Sequence, residues 1–544
     1  MRAPRPGRPE PGAIRKDPGI GVNWAVVFPD RYRAGAANLG LQAVYSLINE
    51  RNDALAERAF LPSRGAVLAM ESGLPLSAFD VVAFTLPYEN GAPGIVRALV
   101  EAGLSPRSAE RRERDPLVLC GGLAATLNPL PLLEVVDAVA LGEAEVLLPE
   151  LLDAIVEHRG APRSERLSAL SRVAGLCLAG HAHPDRVERR WVKRLASVPI
   201  ASTVVSCPAA EMGEMMLVEV ARGCVRGCRF CATGYVARPP RFRTTDDLAP
   251  TLTRLAAGGR RVGLVSADLA DHPEFGRLLD IVERAGGAAS PSSLRADGMS
   301  AGLVERLGRT GLRTLTLALE TGGETLRRAL NKGVADEAFI RAASLAGAAG
   351  IPNLRLYLLL GLPGQDEADL DAAAELIARI RRALERATAG AFGGSGMVTV
   401  SASPFVPKAG TPLQWAAMAS PAELRRQARH LRRRLGRLGG VQLVLGSPRE
   451  ALTQALLARG GAEVGEALIA AERGCVKLEQ ALRDAGHDPE AIALHERAVS
   501  ADLPWDDVAH GPETRHLLAE RKRFLEGKPS PECEPSTCRR CRFC

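Results

Sequence analysis

The sequence predicts an α/β protein with three parts: a doubly wound, Rossmann-like N-terminal domain, a partial TIM-type (β/α)6 barrel, and a mostly helical C-terminal region that ends in a Cys-rich tail. Short apolar runs alternate with helical patterns over residues 22–159 and again over 214–440, which is typical of parallel sheets covered by helices. After residue 440 the pattern is mainly helical. Four of the 11 cysteines lie in the last twelve residues.

Length and composition narrow the class of protein. A chain of 544 residues is too long for one ordinary domain, so two or three domains are expected. No apolar stretch has the length of a membrane span, and the first twenty residues lack the apolar segment of a signal peptide, so we expect no membrane contact and a cytoplasmic location. The odd number of cysteines, grouped mainly in clusters, favours metal binding in a reducing compartment over disulfides. A net charge of +7 does not by itself identify a partner.

The N-terminal part divides into three segments. Residues 1–21 are rich in Pro and Arg, which predicts a disordered tail. Residues 22–159 form the predicted doubly wound domain, and 160–213 a connector to the barrel. Ligands of such sheets lie beyond the carboxyl ends of the strands. The loops expected there are residues 28–41, 120–131 and 141–145.

The strongest chemical signal is the run ARGCVRGCRFCA, which follows the predicted strand 215–220. Cys224, Cys228 and Cys231 have C-x3-C-x2-C spacing. A cubane iron–sulfur cluster normally takes four Cys, so three thiolates leave one iron without a protein ligand. An iron of this kind can bind the amino and carboxylate groups of S-adenosylmethionine (SAM). The alternative is a zinc knuckle, but structural zinc sites use a second Cys or His pair, and none lies nearby.

This motif, with the aromatic Phe230 before its third Cys, resembles the C-x3-C-x-aromatic-C motif of the radical SAM superfamily. The resemblance implies a 4Fe–4S cluster, SAM as a cofactor, and an electron donor such as flavodoxin or ferredoxin. It also implies SAM contacts at the ends of the barrel strands, where Phe230, Ser266, Arg295 and Glu320 are the candidate residues. A charged Arg295 is expected to pair with the SAM carboxylate, and Glu320 to bond to the ribose hydroxyls or the amino group. The alternative is a plain salt bridge between these two.

Residues 22–159 resemble the cobalamin-binding-like domain that precedes the radical SAM domain in one subgroup of the superfamily. The matching residues are Pro29, Asp30, Asn38, Leu39, Gly40, Gly121, Gly122, Asn128, Pro129, Gly142 and Glu143. The cobalt-ligating D-x-H-x-x-G signature is absent, so any bound cobalamin is expected to lack a His ligand from the protein. The alternative is that the glycines only make tight turns and that the fold carries no cofactor.

The segment 441–530 is predicted to be mainly helical, and 531–544 to be a Cys-rich cluster tail. Cys533, Cys538, Cys541 and Cys544 have C-x4-C-x2-C-x2-C spacing. Its compact part is similar to a ferredoxin run, which favours a second iron–sulfur cluster. Zinc and a flexible tail with thiol chemistry are the alternatives.

The resulting hypothesis is a radical SAM enzyme that abstracts hydrogen or transfers a methyl or sulfur group on an unidentified substrate. A second hypothesis, modification of RNA, rests on residues 423–438, a predicted amphipathic helix with seven Arg. This Arg face is expected either to bind phosphate or simply to be solvated. A third hypothesis, from another class, is a non-catalytic iron–sulfur carrier or scaffold.

Overall fold

The computed structural model describes residues 4–8, 10–17, 19, 21–180, 186–392, 396–535 and 538. The chain forms two compact units. The first comprises Met1–Val218, Thr453–Ala493 and Asp502–His510, and the second Glu219–Leu452, Leu494–Ala501 and Gly511–Cys544. The predicted region 441–530 is therefore not a unit of its own, because its residues are divided between the two.

The first unit contains a six-stranded sheet of order β2-β1-β3-β4-β5-β6. Its strands are β1 Val22–Phe28, β2 Ala54–Phe60, β3 Val81–Thr85, β4 Leu117–Gly121, β5 Ala138–Ala140 and β6 Leu176–Leu178. All neighbours pair in parallel except β5 and β6. The strands are almost entirely buried, as expected for a sheet covered by helices on both faces. The predicted doubly wound fold is confirmed.

The helices of the first unit cover this sheet. They are Tyr32–Gly35, Leu39–Glu50, Ala92–Glu101, Leu123–Leu127, Leu130–Leu133, Ala144–Glu157, Arg163–Leu170, Ala462–Gly474, Leu478–Asp484 and Pro489–Ala493, and Pro448–Arg459 belongs to it from Thr453 onwards. Asn38 caps the second of these helices, because its side chain accepts a hydrogen bond of 3.0 Å from the Leu41 N–H. Trp24, Tyr45 and Ile48 lie fully buried between this helix and the sheet.

The described residues of the N-terminal tail pack against the first unit. The Glu10 carboxylate accepts a hydrogen bond of 2.9 Å from the buried Arg58, and the Pro11 carbonyl accepts one of 3.0 Å from the Ser206 N–H. This differs from the disordered tail predicted for residues 1–21. The described tail residues are held by long-range contacts, which include this ion pair and a hydrogen bond of 2.6 Å from the Ile14 N–H to the Tyr45 hydroxyl. A buried guanidinium needs carboxylate partners, and composition does not reveal them. Glu71 supplies the second carboxylate, 2.7 Å from Arg58.

The barrel strands lie in the second unit, except that the first of them begins at Met216 in the first unit. They are β7 Met216–Glu219, β8 Arg261–Val265, β9 Ala288–Pro291, β10 Thr314–Glu320, β11 Asn353–Leu360, β12 Met397–Pro404 and β13 Val441–Leu445. One sheet has the order β9-β8-β7 and the other β10-β11-β12-β13, and a parallel bridge between Leu294 and Leu317 connects them. The predicted partial barrel is confirmed, and β13 adds a seventh strand after the six that were predicted.

The helices of the second unit are Thr245–Ala256, Phe275–Arg284, Ala301–Arg309, Glu324–Ala329, Asp336–Ala348, Glu367–Phe392, Pro421–Leu435 and Thr514–Leu525. In the described part of the chain, no helix combines the length and the apolar character needed to cross a membrane. The Arg-rich helix Pro421–Leu435 packs through the buried side chains of Leu424, Leu431 and Leu435. Its Arg425, Arg429, Arg432 and Arg433 are exposed.

Candidate functional site

The site begins at the cysteine loop, residues 221–232, which follows the end of β7. The Arg226 N–H donates a hydrogen bond of 3.4 Å to Cys224 Sγ, and the Cys231 N–H donates one of 3.0 Å to the Cys228 carbonyl. Gly223 has φ +78°, and a Cβ there would lie 2.6 Å from the Ala237 carbonyl oxygen. The loop therefore folds tightly on itself, and position 223 requires glycine.

The surroundings of Cys224 and Cys228 disfavour a free thiolate. Burial raises the pKa of Cys224 to about 12 and that of Cys228 to about 11, although Lys332 lowers the second. A thiol with so high a pKa stays protonated at neutral pH, whereas a bound metal deprotonates it.

The spacing of the cysteines favours a cluster over a single ion. In the described residues, no group of three or more His, Cys, Asp or Glu side chains converges on a point that one metal ion could occupy. Three cysteines at C-x3-C-x2-C spacing on one loop match the ligands of a cubane that keeps one open iron.

Glu320 and Lys332 form a buried ion pair of 3.0 Å beside the cysteine loop. Burial opposes the charge on Lys332, but Glu320 and Cys228 outweigh it, so the pKa of Lys332 is raised and the ammonium stays charged. Glu320 has φ +68° at an irregularity that ends β10. The backbone of a residue other than glycine is strained in the left-handed region, and such strain is concentrated at functional sites. Lys332, absent from the predicted site residues, is thus part of the site.

Arg295 follows β9, the strand that precedes β10 in the chain. Its Nη2 is 2.7 Å from Asp297 Oδ2, and its Nε is 3.9 Å from Asp268 Oδ2. The alternative of a salt bridge between Arg295 and Glu320 is therefore wrong, since each has another partner. Arg295, Glu320 and Lys332 nevertheless all act electrostatically on the Cys228 thiol. The fold brings the predicted strand-end groups together at the cysteine loop.

Asp268, on the loop after β8, carries the clearest sign of a missing partner. Its side chain is buried, and its Oδ2 makes no hydrogen bond to the described residues. Burial, together with Asp271, raises the pKa of Asp268 to about 6. A buried carboxylate oxygen without a donor is costly unless a ligand supplies one. The amino group and ribose hydroxyls of SAM are donors of this kind, so the site fits that cofactor.

Ser266 and Phe230, the other two predicted site residues, contact other parts of the chain. The Ser266 carbonyl, at the end of β8, accepts a hydrogen bond of 3.0 Å from the Ser292 hydroxyl. Phe230 is half-buried and packs on an apolar cluster that includes Leu326, Leu330 and Phe405. Through these contacts Phe230 holds the cysteine loop against the barrel.

The cysteine loop is anchored by Arg229, whose side chain is fully buried. The guanidinium bonds to Glu520 at 3.1 Å, to the Lys528 carbonyl at 2.9 Å and to Ser530 Oγ at 2.7 Å. Sequence analysis missed this anchor. The signal available was weak: an Arg within the cysteine motif, and a Glu almost three hundred residues away.

The C-terminal cysteines are described only in part. Cys533 is buried, and Cys538 is half-buried. Both line a small open pocket together with Gly227 and Tyr235 of the barrel. The predicted ligands Cys541 and Cys544 lie outside the described residues.

At the carboxyl end of the N-terminal sheet, the loops predicted to line a crevice make hydrogen bonds with other parts of the chain. The Asn128 side chain donates to the carbonyl oxygens of Leu457, Ala458 and Gly460, at 2.8 to 3.4 Å. Gln454 bonds to Glu89 at 2.8 Å, just beyond β3. The segment 454–460, which carries these partners, therefore packs against residues that follow β3 and β4.

The glycines of this region serve the same packing. Gly122 has φ +120°, and a Cβ there would lie 2.5 Å from the Leu86 carbonyl oxygen. A Cβ on Gly142, at φ +123°, would collide with the Arg190 carbonyl oxygen. Both glycines are accounted for by the chain's own backbone, as in the alternative of tight turns without a cofactor. These two positions are thus explained without a cobalamin.

We therefore expect that the protein does not retain cobalamin at this crevice. After incubation with excess hydroxocobalamin and gel filtration, the protein should carry no cobalt and no visible corrin absorbance. Co-elution of one cobalt per chain would contradict this expectation. In that case, nitrogen splitting in the paramagnetic resonance spectrum of the Co(II) form would test for a His ligand.

His510 provides a pH test of the same packing. Its Nε2 contacts the carbonyl oxygens of Leu127 at 2.9 Å and Thr126 at 3.2 Å, and burial lowers the pKa of His510 to about 4. Between pH 6.5 and 4 the unfolded chain binds a proton that the folded chain does not. The free energy of unfolding therefore decreases as the pH is lowered, by up to about 3 kcal/mol. Amide hydrogen exchange over residues 123–133 at pH 7 and pH 4.5 measures this loss. A His510→Gln variant should lose less, and an equal loss in both would contradict the assignment.

Two family models match parts of this chain. A family described as radical SAM proteins, N-terminal, matches residues 40–178, and the radical SAM superfamily matches residues 218–377. An uncharacterized protein of Methanocaldococcus jannaschii is 25% identical over 404 residues, which cover 72% of this chain and 79% of that protein. A tRNA-2-methylthio-N(6)-dimethylallyladenosine synthase of Sorangium cellulosum is 27% identical over 281 residues, 46% of this chain and 54% of that protein.

Among solved structures, the fold is similar to that of TsrM from Kitasatospora setae, a radical S-adenosylmethionine methyltransferase determined with cobalamin and a 4Fe–4S cluster bound. The TM-score is 0.53 at 16% identity, over 86% of this chain and 99% of that chain. At this identity the likeness concerns the fold. The two family matches together span more than half of the sequence and include the cysteine loop and the ends of β8, β9 and β10. The chain belongs to the radical SAM superfamily and is an enzyme of that class.

Proposed function

We propose that the protein cleaves SAM reductively at a 4Fe–4S cluster held by Cys224, Cys228 and Cys231, and uses the radical for hydrogen abstraction or for methyl or sulfur transfer. When bound, the cluster and SAM supply the radical chemistry. The observation that carries the proposal is the buried Asp268 Oδ2, which lies 3.9 Å from Arg295 Nε and accepts no hydrogen bond from the described residues. These charges come from separate loops, and the carboxylate and ammonium groups of SAM need partners of both signs.

The chain's own residues hold and orient the cofactor in this proposal. Arg295, already 2.7 Å from Asp297, would bind the SAM carboxylate. The orphaned Asp268 Oδ2 is a better acceptor for the amino group or the ribose than Glu320, whose carboxylate already pairs with Lys332. A protein donor such as flavodoxin or ferredoxin would supply the electron, and the grouped cysteines favour a cytoplasmic location.

The test is an assay of anaerobically reconstituted protein with dithionite for 5′-deoxyadenosine and methionine. Both should form in equal amounts. Loss of one charge-assisted hydrogen bond costs about 1.5 to 3 kcal/mol, so Asp268→Asn should weaken SAM binding by roughly tenfold to a hundredfold. Glu305→Gln, an exposed residue of the helix Ala301–Arg309, is the matched control. Reconstituted protein that binds a cluster but yields no 5′-deoxyadenosine would identify a carrier instead.

For the tail we propose a second iron–sulfur cluster bound by Cys533, Cys538, Cys541 and Cys544. The support is the ferredoxin-like spacing and the pocket that Cys533 and Cys538 share. Metal analysis distinguishes the alternatives: about eight irons per chain for two cubanes, or about four irons with one zinc.

RNA is a second candidate substrate, favoured by the exposed Arg425, Arg429, Arg432 and Arg433 on a helix whose leucines are buried. The similarity over part of the chain to a tRNA-modifying enzyme points the same way. Binding of bulk tRNA should then weaken steeply with salt. Replacing the four Arg by Gln should reduce both the affinity and the salt slope, whereas equal binding by the variant would remove this candidate.

A further inference from the structure

One face of the four-stranded barrel sheet is buried, and the other is open. Along β11, Leu354, Leu356 and Leu358 are at most 1% exposed, whereas Arg355 is exposed and Tyr357 is 40% exposed. Successive side chains of a strand point to opposite faces, and the same alternation continues on β10 and β12. We call the less buried side the open face and define it by six polar residues, Thr316, Arg355, Tyr357, Thr399, Ser401 and Gln442.

The register of the strands sets these side chains in two rows across the sheet. Neighbouring parallel strands lie about 5 Å apart, so paired residues on one face are close neighbours. In one row Tyr357 is paired with Ser401. The other row runs through consecutive partners on β10, β11, β12 and β13, which are Thr316, Arg355, Thr399 and Gln442.

The polar groups of the open face are uncommitted. In the described part of the chain, no hydrogen bond or ion pair involves any of the six side chains. The interior positions of a closed (β/α)8 barrel are instead filled by bulky apolar residues that pack on one another. An aromatic ring, a guanidinium and several hydroxyls left free on one concave surface are typical of a site that binds a small molecule.

The open face lies next to the proposed SAM site. Glu320 ends β10 and pairs with Leu358, the residue after Tyr357. Strand spacing and backbone dimensions therefore place the Cα atoms of Tyr357 and Glu320 within about 9 Å of each other. Leu359, two residues beyond Tyr357 on the same face, packs on the apolar cluster that also holds Phe230 of the cysteine loop.

We propose that the open face recognises the substrate, and that this substrate carries a flat aromatic or heteroaromatic ring with an anionic group. The inference rests on the proposed function. The ring stacks on Tyr357, and the planar guanidinium of Arg355 binds a phosphate or carboxylate through two parallel hydrogen bonds. The hydroxyls of Thr399 and Ser401 and the amide of Gln442 bind polar groups at the edge of the ring.

The test is equilibrium dialysis of the full-length protein against two anionic probes, uridine 5′-monophosphate and 2-naphthoate. Each is compared with an uncharged relative, uridine or 2-naphthol. At least one anion should bind roughly tenfold or more tightly than its relative, because a hydrogen bond between charged groups contributes about 1.5 to 3 kcal/mol. Preference for the monophosphate would identify a nucleotide as the source of the ring, and preference for the naphthoate an aromatic acid.

Variants assign the two contacts. Arg355→Gln should weaken the anion by roughly tenfold to a hundredfold and leave its uncharged relative unchanged. Tyr357→Leu should weaken both by roughly fivefold to a hundredfold, whereas Tyr357→Phe keeps the ring and should bind as the wild type does. Arg309→Gln, at an exposed Arg of the helix Ala301–Arg309, is the matched control and should change neither affinity.

Both replaced side chains are exposed, so the variants should unfold within about 2 °C of the wild type. Failure of the wild type to bind either anion, equal binding of anion and relative, or undiminished binding by Arg355→Gln and Tyr357→Leu would overturn the proposal. Binding of the probes does not need the cluster. This test can therefore fail while reconstituted protein still forms 5′-deoxyadenosine, and absence of that product would contradict the proposed SAM cleavage alone.

Discussion

Cys228→Ala is expected to reduce formation of 5′-deoxyadenosine to background and to remove the iron of the first cluster. Cys228 is the most buried of the three loop cysteines, and its thiol lies 3.9 Å from the Asn331 carbonyl oxygen. With two thiolates left, a cubane would have two irons without protein ligands and would not be retained. Cys224→Ala and Cys231→Ala should have the same effect. Iron and sulfide analysis and product assay measure it.

The control is Cys475→Ala, which removes an exposed thiol that ends the helix Ala462–Gly474. It should leave the iron content and the product yield as in the wild type. Undiminished product in any of the three loop variants would contradict the assignment of the cluster ligands.

Arg229→Met is expected to be the most destabilising single substitution in the barrel unit. It leaves Glu520 buried without its cation, and breaking a buried pair in this way costs about 3 to 5 kcal/mol. It also removes the bonds to Lys528 and Ser530 that hold the C-terminal segment 528–535. Amide hydrogen exchange over the helix Thr514–Leu525 should therefore accelerate, and the cysteine loop should lose cluster occupancy.

Two comparison variants separate this effect from a general loss of charge. Arg229→Met with Glu520→Leu should recover part of the stability, because an apolar pair leaves no uncompensated charge. Arg309→Met removes an exposed ion pair with Glu305 and should change the stability by less than about 0.5 kcal/mol. An effect of Arg229→Met no larger than that of Arg309→Met would contradict the anchoring role.

Much of the site could be predicted because its signals are local in sequence. The C-x3-C-x2-C spacing identifies three ligands on one loop, and Arg295 and Glu320 were found because parallel strands present their carboxyl ends at one edge. Asp268, at the same edge, was not among the predicted site residues. Its orphaned oxygen, which marks it as a candidate, exists only in the folded chain.

The sequence alone determined the order of the two α/β parts and predicted the cysteine motif at which we propose the first cluster, because hydrophobic period and short-range spacing are set by neighbouring residues. The tertiary structure alone decided which charges pair. It joined Glu320 to Lys332, Arg229 to Glu520, and Cys533 to the cysteine loop. It also brought Asn128, expected near a ligand, into a hydrogen bond with the helix that ends at Arg459. Contacts between residues hundreds of positions apart depend on how whole elements pack, and local propensity carries no information about them.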